Sequence, residues 1–183
     1  MTRTDFTGIA CSIARSAATV GDPWMLLIMR DVALGLHRFD DLQRDLGAAT
    51  NVLSQRLERL VEGGLLRRER YAQRPDRYGY HLTEKGADLV PVLLALTAWG
   101  DRWESGEEGP PLIVRHHTCG HDTHATVTCH SCGDELTPDQ ITYHPGPGAH
   151  PGRGTALIGT VLTGHPEAGE SSASEGSADY RVP

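Results

Sequence analysis

The chain has 183 residues, 38% of them hydrophobic and 22% charged, with a net charge of −7, which suits one domain of ordinary size with a modest core and a small appendage rather than a large enzyme domain. No apolar stretch approaches the roughly 20 residues of a membrane span, and the opening MTRTDFTGIACSIARSAATVGD lacks the basic segment, apolar run and cleavage site of a secretory leader, so a cytoplasmic protein with reduced thiols and no membrane partner is expected. The charge is uneven: residues 104–183 hold eleven Asp and Glu against three Arg, whereas residues 50–82 hold seven Arg against four acids, so a segment able to meet phosphates precedes an acidic one.

In chain order, the first strong signal is GDPWMLLIMRDVALG. Asp22 can cap a helix, Pro23 suits its first position, Trp24 to Leu34 is mostly apolar and Gly35 can end it, which predicts a core helix. RFDDLQRDLGAAT follows, with Phe39, Leu42 and Leu46 on one helical face and Gly47 as the stop. After a short turn, Thr50 can cap NVLSQRLERLVEGG, where Leu53, Leu57, Leu60 and Val61 make one stripe while Asn51, Gln55, Glu58 and Arg59 point away. Two short helices joined in this way make a helix-turn-helix.

Beyond Gly63-Gly64, Tyr78, Tyr80 and Leu82 alternate at period two and QRPDR supplies a turn, predicting a β-hairpin that carries Arg67, Arg68, Arg70, Arg74 and Arg77. TEKGADLVPVLLALTAWGDRW returns to helical spacing, capped by Thr83 and kinked at Pro91. The order predicts a winged helix-turn-helix over 1–103: a mainly α fold with a small β-wing.

ESGEEGPP, 104–111, has the composition of a linker. Residues 112–163 read as a small C-terminal zinc-ribbon-like β appendage, within which TALIGTVLTG is either strand or helix. Residues 164–183, rich in Gly, Ser and Glu, read as a disordered tail. Within Arg115–Leu136 lie three of the four cysteines and five of the ten histidines. Two pieces repeat: His116-His-Thr-Cys119-Gly120 and Cys129-His-Ser-Cys132-Gly133, each a ligand, two residues, a cysteine and a glycine. Facing turns of this kind supply four tetrahedral ligands, and three thiolates with an imidazole suit one structural zinc per chain. His116 is preferred as the fourth ligand by symmetry, with His117, His121, His124 and His130 all close; a disulfide switch between Cys129 and Cys132 is the competing reading.

The string Cys11, GDPWMLLIMRDV, RFDDLQRDL, TNVLSQRLERLVEGGLLRR, Pro75, Tyr80, LTEKG and VLLALTAWG resembles the HxlR-type winged-helix transcriptional regulators, relatives of the MarR type. The resemblance runs in order from Cys11 to Gly100. It implies a homodimer held by the first and last helices of each subunit, which sets two recognition helices into successive major grooves of a pseudo-palindromic operator in double-stranded DNA. Family members are mostly repressors or activators of nearby genes, and many respond to electrophiles, oxidants or small molecules; a repressor is expected here, with a small molecule or an oxidant as a candidate effector. The chain departs from the family at Ser12, where many members have proline after the cysteine, and in everything after Trp103.

On that reading Thr50, Asn51, Gln55 and Arg59 face DNA, with Arg56 at the edge of the apolar stripe in reach of a phosphate. Arg74 and Arg77 flank the hairpin tip, and Arg38 opens the first helix of the pair; the bland alternative for each is an ordinary solvated arginine. Trp24, Trp99 and Trp103 sit in apolar helical surroundings that suit core or dimer packing better than a ligand cage. Cys11 is either a redox sensor at the dimer interface or a small buried hydrophobe. The alternative function is a redox- or metal-responsive switch using Cys11 or the Cys119, Cys129 and Cys132 cluster. An enzyme is not expected, because no carboxylate is partnered for acid–base work and no Gly-rich phosphate loop is present.

Overall fold

The computed structural model describes residues 6, 8–73 and 76–159. The chain divides into two compact units, Met1–Thr7 with Ser12–Ile141 and Gly8–Cys11 with Thr142–Pro183. In the first unit the elements run α1 (Ser12–Val20), α2 (Pro23–Ala33), α3 (Phe39–Leu46), α4 (Thr50–Glu62), β1 (Leu66–Gln73), β2 (Asp76–Leu82), α5 (Glu84–Ala87), α6 (Val90–Trp103), β3 (Val114–Arg115) and β4 (Asp122–Thr123).

Helix α2 starts where its chemistry dictates. Asp22 is the N-cap and its Oδ1 accepts the Trp24 N–H at 3.0 Å, with Pro23 in the first turn. The helix ends on Gly35 at φ 102°, where the Leu36 N–H reaches back to Asp31 O at 2.9 Å, a left-handed stop that non-glycine residues resist. The apolar stripes of α2, α3 and α4 then meet. Met25, Ile28, Met29 and Val32 pack with Leu42, Leu53, Leu57, Leu60, Leu65 and Leu66 in one buried core, and Trp24, Phe39 and Tyr80 lie against it. Trp24 is therefore a packing residue of the core edge.

One expectation at the helix pair needs correction. The N-cap of α4 is Ala49, which makes no side-chain capping bond, and Thr50 is the first helical residue. The Thr50 hydroxyl instead accepts a hydrogen bond from Gln43 Nε2 at 2.8 Å, so α3 braces the start of α4 across the turn.

Strands β1 and β2 pair antiparallel from Leu66↔Leu82 to Gln73↔Asp76, with a bulge at Tyr71 between Arg70 and Ala72. The segment before α3 joins this hairpin as a short third strand: Arg38 bridges Gly79, the Tyr80 N–H donates to His37 O at 2.8 Å, and His37 Nδ1 lies 3.0 Å from Tyr80 O. Gly79 is buried there, and a Cβ on it would press on the His81 ring. The wing is thus hydrogen-bonded to the chain that leads into the helix-turn-helix.

The single kinked helix expected after Thr83 is two helices. The Thr83 hydroxyl caps the short α5 by accepting the Gly86 N–H, and α6 restarts with Pro91 in its first turn. Proline has no N–H to give to an upstream carbonyl, a loss that a first turn absorbs and a helix interior does not. No residue of α6 is buried, although most of it is apolar.

After α6, β3 and β4 form a short hairpin and a bridge between Thr128 and Glu135 closes a second one. In the second unit, Thr155 is buried with its hydroxyl donating to His150 O at 3.1 Å, and Gly154 (φ 78°) leaves room only for Ile9 beside it. Of TALIGTVLTG, residues 155–159 form a turn and a helical start; residues 160–163, the tail 164–183 and Arg74 lie outside the described residues. None of the described helices is long and apolar enough to cross a membrane.

Candidate nucleic-acid interface and the paired cysteine hairpins

Helix α4 sorts its residues into two faces. Leu53, Leu57 and Leu60 enter the core, while Thr50, Asn51 and Gln55 are exposed on the first two turns. These are groups that donate and accept hydrogen bonds, placed where a recognition helix presents its N-terminal part to a groove.

Arg56 and Arg59 are less free than their residue type suggests. Arg56 Nη2 lies 2.8 Å from Asp22 Oδ2 and Arg59 Nη1 lies 3.8 Å from the same oxygen, with all three side chains half-buried. Asp22 therefore caps α2 with one carboxylate oxygen and holds α4 with the other. Arg56 also donates to Gln55 Oε1 at 3.3 Å, and its Nε is buried without a partner among the described residues. A residue pair 34 positions apart in sequence carries no local pattern, so sequence reasoning had no signal for this clamp.

The hairpin arginines divide in the same way. Arg67 pairs with Glu69 at 2.6 Å and holds that carboxyl below its ordinary pKa, Arg70 lies 3.5 Å from Asp76, and Arg68 stacks over the Tyr78 ring at 4.3 Å. Arg77, next to the hairpin tip, is exposed and has no ion pair among the described residues. Arg38 is the N-cap of α3, exposed, with its guanidinium 5.0 Å from the centroid of the Tyr71 ring. That stacking aims the arginine of α3 toward the wing.

Cys11 is half-buried and belongs to the second unit, with its N–H donating to Ile9 O at 2.8 Å. Arg15, the basic side chain nearest to it in sequence on α1, donates to Ser12 Oγ at 3.2 Å.

The cysteine segment forms two hairpin turns. His116 Nδ1 lies 3.3 Å from Cys119 Sγ in the first. In the second, the backbone N–H groups of Cys132 and Ser131, with the Cys132 side chain, hold the Cys129 thiol below its ordinary pKa. Cys119 and Cys132 are exposed and Cys129 is partly covered. The candidate ligands come as two pairs: among the described residues, no group of three or more His, Cys, Asp or Glu side chains is placed to hold a metal ion. The stems of both turns and α6 line one cavity of about 620 Å³, to which Leu112, Val127 and Leu136 contribute along with Trp99 and Trp103.

Comparison with known proteins follows the same outline. Residues 19–108 match the family described as HxlR-like helix-turn-helix. The uncharacterized HTH-type transcriptional regulator Rv3095 of Mycobacterium tuberculosis is 44% identical over 137 residues, covering 75% of this chain and 87% of that protein. An uncharacterized HTH-type transcriptional regulator of Methanothermobacter thermautotrophicus is 34% identical over 99 residues, covering 54% of this chain and 76% of its own length. Among solved structures, PA1374 of Pseudomonas aeruginosa, a candidate transcription factor, is 42% identical with a TM-score of 0.54, covering 76% of this chain and 95% of that one. PA1607, another candidate transcription factor, has a TM-score of 0.69 at 30% identity, covering 77% and 99%. A match of 137 residues is longer than the 1–103 winged helix, so similarity continues into the chain beyond Trp103.

Proposed function

Because this chain belongs to the HxlR-like helix-turn-helix family of transcriptional regulators, we propose that it is a homodimeric repressor which binds a pseudo-palindromic operator in double-stranded DNA. The observation that carries the reading is the exposed polar row Thr50, Asn51 and Gln55 on a helix whose opposite face is locked into the core. Rigid support of that kind keeps base-reading groups in register with a groove. Arg38 and Arg77 add exposed cations for the phosphates on either side. Arg56 and Arg59, held by Asp22, orient α4 and leave the specific contacts to the amides.

The homodimer is supported by α6. Val92, Leu96, Trp99 and Trp103 are 58%, 48%, 55% and 62% exposed, and their spacing of four, three and four residues puts them on one seam, the pattern of helices that pair along their length. A continuous exposed apolar stripe of this size is otherwise a liability for a soluble protein. On this reading α6 of one subunit packs on that of its partner, and the operator's two half-sites lie about one helical turn, roughly 34–36 Å, apart.

The test is selection of bound duplexes from a random pool by the purified full-length chain. An inverted repeat with half-sites one helical turn apart upholds the proposal. Recovery of sequences with no common site, or binding with no preference over random duplex, overturns it.

A further inference from the structure

We propose that the two hairpin turns are the halves of one zinc site, in which His116, Cys119, Cys129 and Cys132 close around a single ion, independently of the DNA-binding function. The two turns are built alike. In the first, the His116 N–H donates to His121 O at 3.0 Å and the Gly120 N–H to His116 O at 2.8 Å; in the second, the Cys129 N–H donates to Asp134 O at 2.7 Å and the Gly133 N–H to Cys129 O at 2.8 Å. The donors and acceptors occupy the same relative positions in both.

Each turn also closes on a glycine in the left-handed region directly after its second ligand, Gly120 at φ 72° and Gly133 at φ 83°. Glycine meets that requirement without steric penalty. A turn needed only to reverse the chain makes no demand on the side chains at its first and fourth positions. Both turns place a zinc-binding donor, thiol or imidazole, at both positions, and in the first turn the two ligand atoms already lie 3.3 Å apart. Three sulfurs and one imidazole nitrogen match the tetrahedral preference of zinc, whereas hard ions prefer carboxylates and carbonyls.

The pairs stand apart from each other, with no three of these ligands grouped among the described residues, so binding includes folding one turn onto the other. The connection between them allows this: His124–Thr126 carries no strand pairing among the described residues. On binding, three thiol protons leave to solvent, and the ion with three thiolates has a net charge of −1. The stems of both turns wall the cavity on α6 that Trp99 and Trp103 also line, so closure of the site changes the surroundings of those indoles.

The experiment uses the full chain, produced with zinc supplied and then freed of loosely held metal. Elemental analysis with thiol titration is expected to give one zinc per chain and three thiols that react only after a chelator is added, with a change in tryptophan emission on chelation. Replacing zinc by Co²⁺ is expected to give the intense visible bands of a tetrahedral ion and a sulfur-to-metal charge-transfer band. Cys132→Ser should weaken zinc binding by more than the roughly 10–100-fold that loss of an outer-shell partner causes, while His117→Ala leaves it unchanged. A chain that holds no zinc and exposes four reactive thiols overturns the proposal, as does an octahedral cobalt spectrum or half an ion per chain, which would put the metal between two subunits. The wild-type stoichiometry and spectrum decide the matter even where a variant fails to fold.

Discussion

Arg56 of α4 reaches across to Asp22, the residue that caps α2, at 2.8 Å, and Asp22 uses its other oxygen to hold the Trp24 N–H at 3.0 Å. One carboxylate thus fixes the start of the core helix and the orientation of α4. Asp22→Ala removes the cap and leaves two half-buried guanidiniums unpaired, which should lower stability by about 1–3 kcal/mol. Asp22→Asn keeps a capping oxygen and should lose less than half of that. Denaturant melts of the two variants separate the contributions; equal losses would mean that the cap contributes nothing, and an Asn variant as stable as the wild type would mean that the ion pair contributes nothing.

Asn51 and Gln55 are exposed on α4 and make no contribution to the core. Replacing either by Ala should cost about 1–3 kcal/mol of affinity for the selected operator and leave binding to random duplex almost unchanged. Arg77→Ala should weaken both and reduce the slope of log affinity against log salt by about 1. Fluorescence anisotropy at several salt concentrations distinguishes the two behaviours.

The seam on α6 predicts the oligomeric state. Leu96→Glu puts a charge in the middle of the stripe formed by Val92, Trp99 and Trp103, and should weaken self-association by at least roughly 2 kcal/mol without unfolding the chain, because no residue of α6 is part of the buried core. Sedimentation velocity is expected to show monomer at concentrations where the wild type is a dimer. Operator affinity should fall in parallel.

Asp31 lies in the core with 1% of its surface exposed; burial raises its carboxyl pKa above the ordinary 3.8, opposed by the Arg30 guanidinium at 2.6 Å. Its second oxygen is buried without a partner among the described residues. The folded chain therefore holds this proton more tightly than the unfolded chain does. The contribution of Asp31 to stability is full below the ordinary carboxylate value and is lost as pH rises through the folded one. The stability of the wild type relative to Asp31→Asn should fall as pH rises above the ordinary carboxylate value of 3.8, read from thermal melts at a series of pH values. A difference that grows with pH would contradict the assignment.

Much of the winged helix was legible because its signals are local. Asp22-Pro23 starts α2, Gly35 and Gly47 stop helices, and the leucine spacing of α4 identifies its buried face. What was not legible depends on residues far apart in the chain. The Asp22 clamp on Arg56 and Arg59 and the pairing of His37 with Tyr80 exist only once the helices and the wing are packed. The break between α5 and α6 was misplaced for a different reason: a proline in a helical pattern marks an interruption, but whether it kinks one helix or begins another depends on the turn before it, here capped by Thr83. In the cysteine segment the repeated spacing points to two similar turns, and the hydrogen bonds at His116 and Cys129 have that similarity.

The central claim is that α4 of a homodimer reads a specific duplex, and the measurement that tests it most directly is titration of the purified chain against its selected inverted repeat. A scrambled duplex of equal length and the Asn51→Ala, Gln55→Ala double variant serve as comparisons. The account predicts binding of one dimer per duplex, at least about 10³-fold tighter to the repeat than to the scrambled sequence, with that preference largely lost in the double variant. Equal affinity for both duplexes, or full retention of the preference without Asn51 and Gln55, would contradict it.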